Sequence, residues 1–153
     1  MIRVNFVCHG NICRSPMAEY VFKDLVKKAG CEKDFYITSS AVSSEEIGNP
    51  IHYGTRGILR EKGIPFDDHR ATKFTKADYD KFDYIIIMDS SNKRLMNRII
   101  EDDAENKVHL FLSFAGENRD IADPWYTGNF EETYSDVLKA SKAFLEYIER
   151  NCK

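Results

Sequence analysis

Apolar residues occur along this chain in two patterns, short unbroken runs and longer stretches in which they recur every turn of a helix. The short runs are rich in β-branched side chains and predict buried strands, whereas the periodic stretches predict amphipathic helices. The predicted strands cover residues 3–7, 35–38, 82–88 and 108–112. The predicted helices cover residues 16–29, 51–62, 90–100 and 130–150. Strands and helices therefore alternate.

Capping and turn residues mark the ends of these elements. Ser15 is expected to cap the first helix, with Pro16 in its first position and Gly30 just after its last turn. The polar stretch 39–50 is expected to be a loop, and so is the segment 116–129, which is rich in Gly, Asp and Pro. A loop as long as 116–129 is usually functional in a compact domain.

Alternating strands and helices indicate βαβ units. We therefore predict an α/β fold, a single-domain, doubly wound, four-stranded parallel sheet flanked by helices, with ligands bound beyond the carboxyl ends of the strands. The length of 153 residues is typical of one hydrophobic core, so residues 1–153 are expected to form one domain.

Composition and charge exclude several classes of protein. A hydrophobic content of 42% and a charged content of 31% suit a packed core rather than a disordered chain. The net charge of -3 provides no basic field for nucleic acid or an anionic membrane. The apolar run at 85–88 is far shorter than the about 18 residues that span a bilayer, and residues 1–7 do not resemble a secretion signal. The 4 cysteines are therefore interpreted as reduced thiols of a cytoplasmic protein.

The candidate chemistry lies between the first strand and the first helix, in the loop Cys8-His9-Gly10-Asn11-Ile12-Cys13-Arg14-Ser15. Gly10 and Asn11 tolerate positive φ, which would let successive N–H groups point into one concavity at the positive end of the helix. The planar fork of Arg14 suits two oxygens of a tetrahedral anion whose central atom faces the Cys8 sulfur. Ser15 could donate to that sulfur and stabilise a thiolate. The loop therefore predicts a phosphate site with a nucleophilic cysteine.

An isolated Cys and Arg at this spacing would more often be the end of a buried strand and a surface charge. The surrounding motif favours the functional interpretation. The stretch from Cys8 to Pro16, followed by Ala18-Glu19, closely resembles the signature of the low-molecular-weight protein tyrosine phosphatases: Cys, five residues, Arg, then Ser or Thr. Asp123-Pro124 and the terminal helix extend the resemblance over almost the whole chain.

The resemblance implies hydrolysis of phosphotyrosine in proteins, and of small aryl phosphates, through a phosphocysteine intermediate on Cys8. Arg14 would bind the phosphoryl group, and Asp123 would be the general acid and then the base. Expected partners are phosphotyrosine-containing proteins, with inorganic phosphate or vanadate as active-site ligands, and no cofactor or metal is implied. The remaining residues implied in the phosphate-binding loop are His9, Gly10, Asn11, Ile12, Cys13 and Ser15.

Several polar residues match supporting positions of the family and also have an ordinary interpretation. Asn11, Ser39 and His69 match residues whose hydrogen bonds hold the phosphate loop, with Asn11 in a strained conformation, but each could be a polar loop residue. Asp89 matches an aspartate near the arginine, but could equally be a helix N-cap. Asp123, followed by proline, could merely start a turn.

The expected cleft walls depart in part from the family pattern. Trp125 and Tyr126 stand where the family commonly has two tyrosines, and they are expected to flank a phenyl phosphate. His9 stands where relatives often carry an apolar residue, and would favour anionic peptides. Glu45 and Glu46 lie in a stretch that often contains an aromatic residue, and would oppose them. The sequence alone gives no net preference.

Cys13 matches the second cysteine of the family. It is expected to form a reversible disulfide with Cys8 that protects Cys8 from overoxidation, with a packing role as the alternative. Cys31 and Cys152 are interpreted as incidental.

Three other functions stay open at this point. Thiol-dependent arsenate reductases resemble these phosphatases in the loop but use extra cysteines in the middle of the chain, and residues 70–100 contain none. A silent phosphate-binding or redox-sensing module should lack an acid, which Asp123 supplies. Phosphoarginine phosphatases tend to have a small hydroxyl residue where Ile12 offers an apolar wall.

Overall fold

The computed structural model describes residues 1–152, and the side chains of residues 1–151. The strands are β1 (Ile2–Cys8), β2 (Phe35–Ala41), β3 (Tyr84–Ile87) and β4 (Val108–Leu110). The helices are α1 (Arg14–Lys28), α2 (Tyr53–Glu61), α3 (Asp78–Lys81), α4 (Ser90–Ile100), α5 (Pro124–Thr127) and α6 (Phe130–Cys152). All four strands are parallel, in the order β2-β1-β3-β4. The predicted fold class is confirmed.

The sheet is wound outwards from β1 in two directions. On one side β1 pairs with β2, with Ile2 opposite Phe35, and on the other side it pairs with β3, with Val4 opposite Tyr84. The path of the chain therefore reverses beside β1. Ligands of doubly wound sheets bind in the crevice at such a reversal, and the loop after Cys8 leaves the sheet at this point.

Two apolar cores cover the two faces of the sheet. Val4 and Phe6 of β1 join the core that contains α1 and α6, whereas Val7 joins the core that contains α4. In the first core, the ring of Phe144 lies 5.1 Å from that of Phe22 and 6.3 Å from that of Phe6. This packing holds α1 against β1, and so determines where the connecting loop begins and ends.

The long helix α6, with 23 residues, completes the first core. Its fully buried apolar residues recur on one face, as the periodic pattern predicted, namely Val137, Ala140, Phe144 and Ile148. None of the described helices is both long enough and apolar enough to span a membrane.

Ser15 does not cap α1, so this prediction is wrong. The helix begins at Arg14, and the N-cap residue Cys13 makes no side-chain capping bond. Because the loop between β1 and α1 runs directly into the helix, Ser15 already lies within the first turn, where a side chain cannot act as N-cap. Its hydroxyl is buried and contacts Cys8 and Asn11 instead.

The predicted loop at 39–50 begins too early. Ser39 and Ser40 continue β2 as far as Ala41, opposite Phe6 and Val7 of β1. Their buried hydroxyl groups are hydrogen-bonded inside the protein, so polar residues are accommodated in a strand that the hydrophobic pattern does not reveal.

Other segments also differ from the prediction, among them the short helix α3, which no sequence pattern indicated. β4 ends at Leu110, and Phe111–Ala115 form a 3-10 helix rather than more strand. The predicted loop 116–129 contains the short helix α5, which starts at Pro124 and is followed by the C-cap residue Gly128, with a φ of 71°. Proline and left-handed glycine suit these two positions. The other boundaries agree to within about two residues.

We expect two glycines of α2 to respond in opposite ways to alanine. A Cβ at Gly54 would lie 2.3 Å from the ring of Phe130, whereas one at Gly57 would meet nothing within 4 Å. Gly57→Ala should raise the free energy of unfolding by about 0.5–1 kcal/mol, because alanine is the better helix former. Gly54→Ala should lower it by about 1–3 kcal/mol through overpacking. Urea titration measures both, and a stabilised Gly54→Ala protein would contradict this close packing.

Candidate active site

The loop between β1 and α1 turns its carbonyl groups away from its centre. These carbonyls accept bonds from flanking segments, from Val42 N–H to Cys8, from Ser43 N–H to His9 and from His52 N–H to Ile12. Inside the loop, Asn11 N–H donates to the Cys8 sulfur at 3.3 Å. The donor side of the backbone therefore faces the sulfur, which is the arrangement that binds anions.

Gly10 and Asn11 play different parts in this loop. Asn11 has a φ of 61°, in the left-handed region, but Gly10 does not have positive φ, so that expectation is wrong for Gly10. A Cβ at Gly10 would lie 3.2 Å from Cγ of Glu46. The missing side chain at Gly10 therefore serves close packing against the cleft wall rather than a left-handed turn.

The Asn11 side chain holds the loop through four hydrogen bonds. Its Oδ1 accepts from Thr72 N–H at 3.1 Å, which fixes the orientation of the amide, and from His69 Nε2 at 2.9 Å. Its Nδ2 donates to Ser15 Oγ at 2.7 Å and to Ser39 Oγ at 3.0 Å. The loop is thereby tied to α1, to β2 and to the segment around residue 70.

These bonds determine the direction of the Ser15 hydroxyl. Since Ser15 Oγ accepts from Asn11, its own hydrogen can be donated to the Cys8 sulfur, 3.1 Å away. Its other acceptor, the carbonyl of Ser40, is more distant at 3.4 Å. The buried sulfur thus receives two donors, the Ser15 hydroxyl and Asn11 N–H, and both favour a negatively charged sulfur.

Glu19 extends the network, although no pattern in the sequence pointed to a role for it. Its buried carboxylate accepts from Ser39 Oγ and from Lys23 Nζ, each at 2.6 Å, and lies 3.7 Å from His69 Nδ1. Burial lowers the pKa of His69, so its ring is neutral at pH 7. Because Nε2 faces the acceptor Asn11 Oδ1, this nitrogen carries the hydrogen and donates it to the loop. Glu19 follows Ser15 by one helical turn, a spacing that indicates the same face of α1.

Arg14 is buried, and both of its terminal nitrogens, Nη1 and Nη2, are hydrogen-bonded. Nη1 donates to Asp89 Oδ2 at 2.7 Å and to the Ile121 carbonyl at 2.9 Å, and Nη2 donates to Asp123 Oδ2 at 3.3 Å. Burial alone lowers the pKa of Arg14, but Cys8 and the two carboxylates outweigh burial and raise it. The buried Nε has no hydrogen-bond partner in the part of the chain that the structure describes. An unpaired buried donor is costly, so this edge of the guanidinium is the part suited to an incoming anion.

Asp89 both caps α4 and contacts Arg14, the two roles that the sequence left as alternatives. Its Oδ1 accepts from Asn92 N–H at 2.7 Å and caps α4, while its Oδ2 accepts from Arg14. Asp123 is built in the same way. Its Oδ1 accepts from Trp125 N–H at 3.1 Å and caps α5, while its Oδ2 faces Arg14.

The cleft above the loop is lined by Cys8, His9, Gly10, Ile12, Cys13, Glu45, Glu46, Asp123, Trp125 and Tyr126. Trp125 and Tyr126 are 57% and 82% exposed, so neither ring belongs to the core. His52, which no sequence pattern indicated, lies beside Trp125: its ring stacks on Phe130 at 5.2 Å and meets the Trp125 ring edge-on at 5.5 Å. Asn11, Ser15, Ser39, His69 and Asp89 lie behind the cleft.

Cys8, Cys13 and Cys31 are free thiols. Burial, together with the neighbouring Cys8, raises the pKa of Cys13, so Cys13 is protonated at neutral pH and is not suited to nucleophilic attack. A Cys8–Cys13 disulfide stays a prediction, and the Cys152 side chain lies outside the described part. Among the described residues, no three His, Cys, Asp or Glu side chains are grouped to hold a metal ion.

Comparison with known proteins assigns the chain to a family. The sequence profile described as low molecular weight phosphotyrosine protein phosphatase matches residues 3–153. The chain belongs to this family. The phosphatase is 40% identical over 152 residues to the low molecular weight protein-tyrosine-phosphatase YfkJ of Bacillus subtilis, covering 98% of this chain and 97% of YfkJ. It is 40% identical over 148 residues to the human low molecular weight phosphotyrosine protein phosphatase, covering 94% of this chain and 93% of the human protein.

Solved structures agree with this assignment. The crystal structure of YfkJ matches with a TM-score of 0.96 at 39% identity, over 100% of this chain and 98% of that chain. Vibrio vulnificus Wzb in complex with benzylphosphonate matches with a TM-score of 0.84 at 25% identity, over 95% of this chain and 98% of that chain. The protein is therefore a phosphatase enzyme of the low-molecular-weight tyrosine type.

Replacing Asp89 by serine should separate its two roles. Serine caps a helix about as well as aspartate, but it is too short to reach Arg14. We expect Asp89→Ser to lower kcat about 10²-fold, because a loosely held guanidinium misplaces the phosphoryl group. Asp89→Ala should show the same kcat but lose about 1 kcal/mol more stability with the cap. Steady-state kinetics and thermal melts measure these effects, and an unchanged kcat in Asp89→Ser would mean that Asp89 only caps α4.

Proposed function

We propose that this phosphatase hydrolyses phosphotyrosine in proteins, and small aryl phosphates, through a phosphocysteine on Cys8, with residues 1–153 acting as one catalytic domain. One observation carries the proposal. Among the described residues, the buried Nε of Arg14 has no partner, in the same loop in which the Cys8 sulfur receives two donors. A positive donor edge and a sulfur suited to negative charge, within one anion-binding loop, fit nucleophilic attack on a phosphoryl group.

In the first step, the phosphoryl oxygens bind the loop N–H groups and the Nε edge of Arg14. The Cys8 thiolate then attacks phosphorus, so that an S–P bond forms as the bond to the phenolate oxygen breaks. Asp123 gives its proton to that oxygen. The contact of Asp123 with Arg14, at 3.3 Å, is long, so binding of the phosphoryl group by Arg14 can release this carboxyl for proton transfer.

In the second step, water attacks the phosphocysteine and Asp123, now a carboxylate, takes its proton. The P–S bond breaks and inorganic phosphate leaves. The departing sulfur regains its negative charge, and the Ser15 hydroxyl, 3.1 Å away, donates to it. Inorganic phosphate and vanadate, both tetrahedral oxyanions, are therefore expected ligands of the same loop.

The cleft supports an aryl phosphate as the substrate class. Cys8 is 3% exposed, whereas Trp125 and Tyr126 are exposed at the cleft mouth, so a substrate must carry its phosphoryl group on a long, flat side chain. The benzylphosphonate bound by the relative Wzb also combines an aromatic ring with a tetrahedral anion. The free thiols suit a reducing compartment, and we propose that the phosphatase acts in the cytoplasm.

Initial rates on matched phosphotyrosine, phosphoserine and phosphoarginine peptides test the proposal. We expect hydrolysis of the phosphotyrosine peptide, with kcat reduced by about 10⁴-fold or more in Cys8→Ser. Cys8→Ser should still bind inorganic phosphate, because the loop and Arg14 remain. Arg14→Lys should lose about 10²–10³-fold, because a point charge does not reproduce the fork. Near-normal turnover by Cys8→Ser, or faster hydrolysis of phosphoarginine, would refute the proposal.

Asp123→Asn tests the acid through the leaving group. Asparagine keeps the cap of α5, so a loss of about 10²–10⁴-fold is expected with a basic phenolate, and a smaller loss with an activated phenol. The slope of log rate against leaving-group pKa should therefore steepen in the variant. Equal losses for good and poor leaving groups would show that Asp123 only shapes the loop. The next aspartate, Asp120, lies outside the cleft lining and accepts from Ser90 N–H at 3.1 Å.

A further inference from the structure

The mouth of the cleft carries more negative than positive charge. Its lining contains three carboxylates, Glu45, Glu46 and Asp123, and one basic side chain, His9. Asp123 faces inwards, with its Oδ2 3.3 Å from Nη2 of Arg14. The charges that face an arriving protein are therefore those of the two glutamates and the histidine.

His9 is already bound to one of these glutamates. Its Nε2 lies 2.6 Å from Oε2 of Glu45, and the side chains are 40% and 68% exposed. A ring nitrogen that is engaged in this way is not a free donor for an acidic substrate. When His9 is protonated, the pair with Glu45 is neutral and Glu46 keeps an unmatched charge. When His9 is neutral, both glutamate charges are unmatched.

Glu46 is held at the entrance rather than extended into solvent. Its Cγ packs against Gly10 of the phosphate loop, where a Cβ would lie only 3.2 Å away. Its Oε2 accepts from Asn49 Nδ2 at 3.5 Å, and no lysine or arginine of the described part forms an ion pair with it. Its negative charge therefore stays at the edge of the cleft.

We infer that Glu45 and Glu46 form an acidic rim that selects phosphotyrosine sites flanked by lysine or arginine and disfavours sites flanked by acidic residues. The inference rests on the proposed phosphotyrosine hydrolysis. A phosphotyrosine that reaches Cys8 brings its neighbours in sequence to the cleft mouth, within the range of about 10 Å over which charges act in dilute salt. Charges at an exposed rim mainly change the rate of encounter, and salt screens them.

Two phosphotyrosine peptides that differ only in having lysine or glutamate on both sides of the phosphotyrosine test the inference. The rate of each enzyme variant with a peptide is divided by its own rate with p-nitrophenyl phosphate, which has no flanking residues. We expect kcat/KM to be about 3- to 10-fold higher for the lysine peptide at low ionic strength. The ratio should approach one in 1 M salt, where the screening length is about 3 Å.

Variants of the rim assign the preference to these residues. Glu45→Gln/Glu46→Gln should lose the preference, and Glu45→Gln alone, which releases His9, should shift it towards the glutamate peptide. Glu149→Gln is the matched control for a single lost charge. Glu149 is exposed on α6, about 28 Å along the helix from Phe130 beside the cleft, and its variant should keep the wild-type ratio.

Equal rates with the two peptides would overturn the inference, as would a wild-type preference for the glutamate peptide. A lysine preference that persists in the double variant, or that Glu149→Gln removes equally well, would overturn it too, since it would then come from the net charge of the whole protein. Failure of the proposed function looks different. In that case neither peptide is hydrolysed although p-nitrophenyl phosphate is, and the inference falls with it.

Discussion

The four hydrogen bonds of the Asn11 side chain are the constraint on which the active site depends. Asn11 is fully buried and has a left-handed φ of 61°, a conformation that side chains other than glycine adopt at a cost. Its amide is bound at once to α1, to β2 and to the segment around Thr72. The loop cannot relax without breaking contacts in three parts of the fold, so its donors stay directed at the anion position. Donors that are arranged before the substrate arrives need no reorganisation during the reaction.

A second constraint is the buried positive charge of Arg14. Such a charge needs partners, and both carboxylates that face it also begin a helix. The cap geometry of α4 fixes one oxygen of Asp89, and that of α5 fixes one oxygen of Asp123, so the other oxygen of each points to the guanidinium. The two contacts are not equal, at 2.7 Å for Asp89 and 3.3 Å for Asp123. The closer contact, with Asp89, positions the arginine. The longer contact leaves the Asp123 carboxyl able to exchange Arg14 for another hydrogen-bond partner.

The floor and the rim of the cleft are under different physical constraints. At the floor, Cys8, Asn11 and Ser15 share hydrogen bonds with one another, so a change in one of them disturbs the others. At the rim, His9, Glu45 and Trp125 are partly or largely exposed, and their contacts are few. The residues whose identity suggested a departure from the family pattern lie at this rim. In this arrangement, surface charge can alter recognition without altering the chemistry.

Much of this protein follows from its sequence by itself. Short apolar runs and periodic stretches record which side chains are buried, so they predicted a parallel α/β sheet and the order of its elements. The loop from Cys8 to Ser15 lies within one continuous segment, so its position between β1 and α1 was also predictable.

Other features were decided only by tertiary structure, because they depend on residues that are distant in sequence. The strand continues through Ser39 and Ser40 because their hydroxyl groups find buried partners in α1 and β1. Glu19 acts through Ser39, and His9 is paired with Glu45 across 36 positions of the chain. Gly10 is needed for packing rather than for a turn, because Glu46 lies against it. A hydrophobic pattern records burial, but a polar residue's partner is known only when the chain has brought the two together.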